Sequence, residues 1–353
     1  MRIGARKAGG QASSFNARSA TNDGHTQAEP TTRTQPRVEN EMSIKAMAEE
    51  ISNQTQDLPR FSSLLRETRL PKLKPSSLIF AGSGDSFAAA VFAQELSRGR
   101  AVASDPYELM RNIERTKGKS LVIVSVSGKT RASIDLARRA KGFARRRIAI
   151  TAHPDSPLAR ESDEVFPLKY TRTGTLTAGT VSFTCSMIAC AFLLGQLPRT
   201  VNAKTTLGKA ARWATTQISV RTGSFVFVGS GVNYALSIYG AAKVREVLGT
   251  KAEAEYPEQV GHARLFATDK KRDCLICISS GQDHARQVHK LLDKRGFRTG
   301  LLAILDNNMV LRSLKIAIYL QQLALVLAQK REMNDCAFLS DSRMLELSSK
   351  MIY

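Results

Sequence analysis

Two short segments of the sequence combine glycine with hydroxyl side chains, as phosphate-binding loops do. They are Ala81-Gly-Ser-Gly-Asp-Ser86 and Ser125-Val-Ser-Gly-Lys-Thr130. Glycine lets backbone N–H groups approach an anion closely, the hydroxyl groups donate further hydrogen bonds, and the start of a helix adds a favourable dipole. Because serine, threonine and glycine also cap ordinary helices, neither segment alone identifies a ligand.

Neither segment matches a nucleotide-binding fingerprint. Phe87 stands where the dinucleotide pattern requires its third glycine, and the segment from Ser125 to Thr130 is not a Walker loop. No mononucleotide or dinucleotide is therefore indicated, and a sugar phosphate stays open as the ligand.

The elements that carry these segments occur twice along the chain. Residues 77–84 resemble residues 224–231, and residues 121–128 resemble residues 275–281. In each case an apolar run ends in serine and glycine before a helical pattern, and the matching glycines are 147 and 153 residues apart. Two landmarks at nearly one offset indicate a tandem of two related halves.

Apolar runs alternate with helical patterns in both halves, which predicts an α/β fold of two tandem doubly wound, flavodoxin-like parallel sheets. Ligands of such sheets sit beyond the carboxyl ends of the strands. The predicted domains are a helical segment over 42–75, a first domain over 76–212, a second over 213–329 and a C-terminal tail over 330–353. Strands are predicted near 77–82, 100–104, 120–125, 147–151, 164–168, 224–229, 250–255, 273–279 and 299–304, and helices near 85–98, 106–114, 130–143, 180–195, 233–248, 283–295 and 311–329.

Composition limits the class of protein. The 353 residues include 52 Lys and Arg against 31 Asp and Glu, a net charge of +21 that suits polyanions or phosphorylated small molecules. Five cysteines in a chain of this length do not form a disulfide scaffold, which fits a cytoplasmic location. Residues 1–41 have almost no large apolar residues, so we expect a disordered basic tail. A transit peptide and an over-extended start before Met42 stay open for that segment.

Three further segments allow alternative interpretations. The uncharged run over 173–198 is long enough to span a bilayer, but its serines and threonines favour a buried helix. The basic cluster over 138–147 could contact nucleic acid, but no recognised nucleic-acid motif accompanies it, so a solvated surface is favoured. Cys274 and Cys277 have the spacing of zinc ligands without a second pair, which favours buried thiols. We expect no metal, no cofactor, no membrane and no nucleic acid.

Taken in order, these segments resemble the sugar isomerase (SIS) fold, and in particular the isomerase half of the glucosamine-6-phosphate synthases. Tyr239-Gly-Ala-Ala-Lys-Val-Arg-Glu246 is similar to the Glu-Gly-Ala-Leu-Lys-Leu-Lys-Glu helix of that family. Ala178-Gly-Thr-Val-Ser-Phe-Thr184 is similar to its Ala-Ser-Thr-Lys-Ala-Phe-Thr segment. His262 follows Glu246 at the separation that the family has between its base and its ring-opening histidine. The likeness extends from about residue 45 to about residue 330.

The resemblance implies roles for individual residues. Glu246 would be the base that moves a proton between C1 and C2, and His262 would open the sugar ring. The family's histidine crosses to the neighbouring subunit, so a homodimer with shared sites is implied. Lys350 would stand for a Schiff-base lysine. The residues expected at the substrate are Ser83, Ser125, Ser127, Gly128, Thr130, Thr177 and Lys243.

The sequence also departs from the family. Lys129 replaces an acidic residue, Tyr239 replaces a glutamate, and no glutaminase domain is present. The expected function is the aldose–ketose isomerisation of a hexose phosphate or an amino-hexose phosphate, such as fructose 6-phosphate or glucosamine 6-phosphate. Two alternatives stay open. One is the isomerase subunit of a split synthase that takes ammonia from a separate glutaminase chain, and the other is a non-catalytic phosphosugar sensor.

Overall fold

Strands that are apolar along their whole length form the centre of the protein. The computed structural model describes residues 42–68, 73–219 and 221–353, and the tail predicted over 1–41 lies outside the described residues. A long helix, α1 (Ser43–Glu67), precedes the first strand. The first half then contains β1 (Leu78–Gly82), α2 (Asp85–Leu96), β2 (Val102–Ser104), α3 (Pro106–Arg111), β3 (Ser120–Val124), α4 (Arg131–Arg139), β4 (Arg146–Thr151), α5 (Pro157–Arg160), β5 (Glu164–Pro167) and α6 (Val181–Leu193).

The second half repeats the alternation of strands and helices. It contains α7 (Lys204–Gln217), β6 (Ser224–Val228), α8 (Val232–Leu248), β7 (Lys251–Glu255), α9 (Pro257–His262), β8 (Asp273–Ser279), α10 (His284–Asp293), β9 (Arg298–Ala303), α11 (Met309–Lys330), α12 (Ala337–Ser340) and α13 (Ser342–Ile352). Residues 330–353 were predicted as a tail, but they include the helices α12 and α13.

The strands form two parallel sheets. Their orders are β2-β1-β3-β4-β5 in the first half and β7-β6-β8-β9 in the second. All residues of β1 and β3 are buried, as are all but the first residue of β6 and β8. Central strands that are buried on both sides require helices on both faces of each sheet. The predicted α/β class with two parallel sheets is therefore confirmed.

One layer of helices lies between the two sheets. Phe80 and Val122 of the first sheet share a core cluster with Phe225 and Ile276 of the second, together with residues of α1, α2, α6, α8 and α11. Separate clusters cover the outer faces, with α3 and α4 on the first sheet and α10 on the second. Because both halves share the central layer, two separate domains over 76–212 and 213–329 stay a prediction.

The two Gly-Ser-Gly turns adopt the same conformation. Gly84 has φ +58° and ψ −127°, and Gly231 has φ +56° and ψ −135°, values that an L side chain rarely adopts. Both glycines stand immediately before a helix without a side-chain cap. The two halves therefore enter their first helices through the same turn.

The uncharged run over 173–198 contains α6, in which twelve of thirteen residues are buried. One described helix, α11, is long and apolar enough to cross a membrane by length and composition, but most of it is buried among the other helices. A core helix of a globular protein has the same properties. The interpretation of the run as a buried helix is confirmed.

The cysteine pair lies in β8, where side chains three residues apart point to opposite faces of the sheet. Cys274 contributes to the core between the sheets and Cys277 to the outer core. Burial raises the pKa of each thiol to about 12. The two sulfurs therefore cannot ligate one metal ion, and they pack as small apolar groups, as the sequence indicated. Within the described residues, no group of three or more metal-ligating side chains occurs.

A buried polar network crosses the central layer. Gln321 of α11 accepts a hydrogen bond from Gln54 Nε2 at 2.7 Å and donates to the Tyr239 hydroxyl at 3.1 Å and to Thr180 O at 3.2 Å. Thr184 Oγ1 donates to Gln54 Oε1 at 2.8 Å. The network fixes how α1, α6, α8 and α11 meet, because each buried polar group is satisfied only in this arrangement.

Replacing the central amide of this network should destabilise the fold. We expect Gln321→Leu to lower the free energy of unfolding by about 1–3 kcal/mol, because it leaves buried donors and acceptors unpaired. Gln329→Leu, an exposed glutamine on the same helix, should change it by less than about 0.5 kcal/mol. Urea denaturation followed by circular dichroism measures both values, and equal stability of the two variants would contradict the structural role of the network.

Candidate functional site

The first sheet has a crevice at the carboxyl ends of β1 and β3. These strands are neighbours, and Gly82 pairs with Val124 at the end of their register. The chain leaves β1 for α2 in the central layer and leaves β3 for α4 on the outer face. Two helices that depart to opposite faces leave space between their first turns, where ligands of such sheets bind. The loops over 83–84 and 125–130 border this crevice.

The loop over 125–130 presents several hydroxyl groups at the start of α4. The Ser125 side chain is buried, with Oγ 3.4 Å from Thr130 Oγ1, and Ser127 Oγ accepts the Lys129 N–H at 3.2 Å. Gly128 has φ +62°, and a Cβ there would lie 2.1 Å from Ser156 Oγ, so only glycine fits. Thr130 stands at the N-cap of α4 but makes no capping hydrogen bond. Its hydroxyl is therefore not used to cap the helix.

The loop after β1 has fewer donors of its own. The Ser83 side chain is exposed, and Gly84 has no side chain to cap α2. Asp85 is the first residue of α2, and its carboxylate turns towards the second half of the chain. The crevice is thus bordered by hydroxyls and the uncapped start of α4 on the β3 side and by a carboxylate on the β1 side.

The matching loop of the second sheet is closed by its own side chain. Asp283 stands at the position that corresponds to Thr130, two residues after the glycine. Its carboxylate accepts hydrogen bonds from Ser279 Oγ at 2.9 Å, from the Ser280 N–H at 2.7 Å and from the Arg286 N–H at 3.1 Å. These donors would otherwise face a bound anion. The first half therefore has the open loop and the second half has the filled one.

A buried ammonium joins the two halves beside the crevice. Lys243 of α8 is fully buried, and its Nζ donates to Asp85 Oδ2 at 2.7 Å and to Glu246 Oε2. The Glu246 carboxylate is 37% exposed, so it remains accessible to solvent while Lys243 holds it. Lys243 was expected to contact the substrate, but its ammonium is enclosed behind these carboxylates. From the sequence, an ordinary surface ion pair between Lys243 and Glu246 was the alternative to a catalytic site. The complete burial of Lys243 excludes that alternative.

The protonation of this ion cluster follows from its burial. Burial raises the pKa of Asp85 above its usual range, and the charge on Glu246 acts in the same direction, while Lys243 opposes both. The two carboxylates raise the pKa of Lys243 and keep it charged, although burial alone would lower that pKa. One ammonium faces two carboxylates, so a proton on Asp85 leaves the cluster electrically balanced.

Neighbouring residues shape the space around this cluster. A Cβ at Gly179 would lie 2.8 Å from Asp85 Oδ2, so glycine is required for the close approach of the carboxylate. Lys243 Nζ lies 5.2 Å from the centre of the Tyr239 ring, and the Tyr239 hydroxyl donates to Gly179 O at 2.9 Å. Asp85 had no role in the sequence analysis, and only its position in the Gly-Ser-Gly-Asp segment could have indicated one.

His262 lies apart from this cluster in the same chain. It is 70% exposed at the end of α9, with Nε2 3.3 Å from Glu258 Oε1. Among the described residues no hydrogen bond or ion pair joins it to Glu246 or Lys243. The adjacent Phe266 is 84% exposed. Within the described part of one chain, His262 is therefore not linked to the expected base, and its ring is open to solvent.

Two other expected site residues have structural partners. Thr177 Oγ1 donates to Ser43 O at 2.8 Å, so its donor holds the start of α1. Lys350 is 72% exposed in α13, and its ammonium pairs with Glu346 at 2.6 Å. The end of that helix lies beside the crevice, because Arg131 Nη2 donates to Tyr353 O at 2.8 Å. Lys350 belongs to the helix whose end contacts Arg131 of α4, but its ammonium pairs with Glu346.

Comparisons with known proteins agree with this architecture. Residues 73–195 match the family model of the SIS domain, so the resemblance seen in the sequence is confirmed. Curated relatives include the glutamine--fructose-6-phosphate aminotransferases of Neisseria meningitidis, 26% identical over 239 residues, and of Sulfolobus acidocaldarius, 23% identical over 256 residues. These matches cover 60% and 68% of this chain but only 36% and 42% of the relatives.

Solved structures resemble nearly the whole fold. A glucosamine-6-phosphate deaminase from Thermotoga maritima superposes with a TM-score of 0.68 and 19% identity, over 82% of this chain and 95% of the other. Tagatose-6-phosphate ketose/aldose isomerase from Escherichia coli superposes with a TM-score of 0.57 and 16% identity, over 82% and 90% of the two chains. At these identities the likeness establishes the fold.

The ion cluster leads to a pH-dependent stability. Because burial raises the pKa of Asp85, the folded chain holds a proton that the unfolded chain releases. The contribution of Asp85 to the stability of the wild-type chain should therefore fall as pH rises above about 4, the ordinary aspartate range, by about 1.4 kcal/mol for each unit of raised pKa. Asparagine releases no proton, so the stability of Asp85→Asn relative to wild type should increase over the same rise in pH.

Urea denaturation at a series of pH values from about 4 to neutrality measures this difference. A difference that stays constant with pH, or that decreases as pH rises, would contradict the raised pKa.

Proposed function

We propose that the chain binds a hexose phosphate or an amino-hexose phosphate and catalyses its aldose–ketose isomerisation. The observation that carries the proposal is the Glu246 carboxylate, which is accessible to solvent and is tied through Lys243 to Asp85 beside the open crevice. A positioned carboxylate next to a phosphate-binding loop is what a proton transfer on a phosphosugar needs. The names of the relatives and of the structural neighbours, which refer to sugar phosphates, support the same substrate class.

The phosphate group would lie at the loop over 125–130. Its ligands would be the backbone around Gly128 and the hydroxyls of Ser125, Ser127 and Thr130, with Ser83 across the crevice. The Thr130 hydroxyl, which does not cap α4, supports this assignment, because the corresponding Asp283 of the second half already satisfies its own loop. We therefore assign one phosphate-binding loop to the first half and none to its counterpart in the second.

Glu246 would act as the base. Its carboxylate would take the proton from C2 of the open-chain aldose, and the same proton would be returned to C1, while the hydrogen of the O2 hydroxyl passes to O1. The ketose that forms has the same atomic composition as the aldose. Lys243 would act as a positioning residue, since it touches the carboxylate rather than the sugar. General base catalysis of this kind contributes about 10²–10⁴-fold.

His262 would come from a second copy of the chain. A cyclic sugar needs an acid–base group at its ring oxygen, and histidine suits this near neutral pH. In the same chain His262 is largely exposed and its ring pairs with Glu258 rather than with Glu246, and Phe266, four residues further on, is also largely exposed. Both features suit a segment that is covered by a partner subunit. A homodimer with shared sites is therefore part of the proposal.

A second candidate function is amino transfer. It is favoured by the curated relatives, which are named glutamine--fructose-6-phosphate aminotransferases. The chain spans about a third of their length, and in this alternative a separate glutaminase chain would supply the ammonia. Lys350 would then form the Schiff base, which requires that its ammonium leave Glu346. Conversion of fructose 6-phosphate that requires added ammonia would favour this function, and conversion without it would favour isomerisation alone.

Removing one hydroxyl from the loop should weaken ligand binding. We expect Ser127→Ala and Thr130→Ala each to weaken hexose 6-phosphate binding by about 1–3 kcal/mol, because each variant loses a donor to a charged acceptor. Ser230→Ala removes an exposed hydroxyl from the Gly-Ser-Gly turn of the second half, outside the proposed phosphate site, and should leave binding unchanged. Isothermal titration calorimetry measures the three affinities. Wild-type affinity in both loop variants would exclude the assignment.

Glu246→Gln should separate binding from turnover. The amide keeps the shape of the side chain but cannot accept the proton, so sugar-phosphate affinity should persist while turnover falls by about 10²-fold or more. Glu108→Gln, which removes an exposed carboxylate from α3, serves as the matched control and should keep full turnover. A coupled assay of ketose formation gives the rate. Full turnover in Glu246→Gln would end the catalytic assignment.

Mixed dimers test the origin of His262. His262→Ala should reduce turnover of the cyclic sugar more than turnover of an open-chain substrate. If sites are shared, re-associated mixtures of Glu246→Gln and His262→Ala chains should regain activity, because some sites then combine an intact glutamate with an intact histidine. Mixtures no more active than the separate variants would remove the shared site and leave the role of Glu246 unaffected.

A further inference from the structure

A second cleft lies beside the loop over 125–130. It has a volume of about 410 Å³ and is lined by Lys129, Arg160, Arg172 and residues 152–157, which follow β4. A smaller cleft of about 230 Å³ adjoins it through Ala152, Pro154 and Arg172, which line both. The two clefts form one concave surface at the edge of the first sheet.

Positive charge dominates this surface. Five cationic side chains line it against two carboxylates, and within the described residues no ion pair joins any of the five to a carboxylate. Asp57 accepts hydrogen bonds from the Thr171 N–H at 2.9 Å and the Thr171 hydroxyl at 3.0 Å, so each of its carboxylate oxygens already accepts a hydrogen bond from Thr171. Asp155 is the second carboxylate. The cationic residues are Arg60, Lys129, Arg160, Lys169 and Arg172.

Backbone carbonyls hold two of the guanidinium groups in place. Arg160 Nη1 donates to Asp155 O at 2.6 Å, and Arg172 Nη2 donates to Ala152 O. Carbonyl oxygens fix a guanidinium without neutralising its charge, and its other N–H groups stay available for the bidentate recognition of an anion. Burial lowers the pKa of His153 in this cleft, and the neighbouring charges of Arg172 and Lys129 act in the same direction.

The wall of the cleft is in contact with the loop over 125–130. The Leu158 N–H donates to Gly128 O at 3.0 Å, and the Gly128 backbone packs so closely on Ser156 that no Cβ fits between them. Lys129 belongs to the loop and to the cleft at once. Two anion-binding surfaces would therefore lie on either side of one loop.

We propose that this cleft binds a second phosphate group, held by Arg160 and Arg172 and separate from the one assigned to the loop over 125–130. Arginine pairs match phosphate oxygens, and a concave cationic surface whose arginines have no carboxylate partner gains from an anion. The phosphate could belong to the far end of a sugar bisphosphate or to a separate phosphorylated molecule. The placement beside the loop rests on the proposed function, but the cleft and its charges do not.

Binding of inorganic phosphate tests the cleft directly. Equilibrium dialysis with labelled phosphate should find two phosphates per wild-type chain. Arg160→Gln and Arg172→Gln should each weaken one of them by about tenfold or more. Arg139→Gln, an exposed arginine of α4 outside the cleft, removes the same charge and should leave both unchanged. Circular dichroism checks folding, and Arg160→Gln decides the result if Arg172→Gln does not fold.

Three phosphate-bearing probes distinguish the sources. If one ligand spans both surfaces, a hexose bisphosphate should bind more tightly than a hexose monophosphate, and the cleft variants should weaken only the bisphosphate. If the ligands are separate, inorganic phosphate should bind alongside the monophosphate. Cleft variants that bind as Arg139→Gln does, or a single phosphate per wild-type chain whose binding Arg160→Gln leaves unchanged, would overturn the proposal. Ser127→Ala reports on the loop alone, so failure there is distinguishable from failure of the cleft.

Discussion

A buried ammonium that must be paired is the constraint on which the candidate site depends. Lys243 has no access to water, and an uncompensated charge in that position would cost several kcal/mol. Its partners come from both halves of the chain: Asp85 from the first turn of α2, and Glu246 from the next turn of α8. The contact between α2 and α8 is therefore fixed by charge as well as by packing. Any movement of one half against the other would move Glu246 away from the crevice or leave the Lys243 ammonium without its Asp85 partner.

The elements were predictable because their signals are local. Apolar runs that end in Gly-Ser-Gly or Ser-Gly give the strands and their turns, and each predicted strand and helix has a counterpart in the structure. The partners of Lys243 were only half predictable. Glu246 lies one turn along the same helix, whereas Asp85 is 158 residues away and meets it only through tertiary packing. The capping role of Asp283 was not predictable from spacing. Asp283 and Thr130 each stand two residues after a glycine, so the two loops look equivalent in the sequence.

The two halves show how one turn can support different chemistry. Both begin with the same Gly-Ser-Gly conformation, yet Asp85 of the first half corresponds to Val232 of the second. At the next loop Thr130 corresponds to Asp283, which supplies from within the chain the negative charge that an anion would bring. The fold therefore provides two equivalent crevices, and single side chains decide which of them stays open. Fold alone would not distinguish them.

The distribution of charge around the open crevice also restricts how a phosphosugar could lie in it. Glu246 and Asp85 share one ammonium on the side of α2 and α8, while Lys129 and the uncapped start of α4 lie on the side of β3. A phosphate dianion on that side would meet the negative charge of Glu246, and also that of Asp85 when Asp85 is ionised, in a partly buried setting, where Coulomb energies are several times those in water. The same dianion at the start of α4 meets N–H groups, hydroxyls and a lysine. A sugar with its phosphate on the α4 side then extends its carbon chain towards the carboxylates, which is the orientation that proton transfer at C1 and C2 requires. The charges that hold the two halves together thus also select the direction in which a phosphosugar can enter.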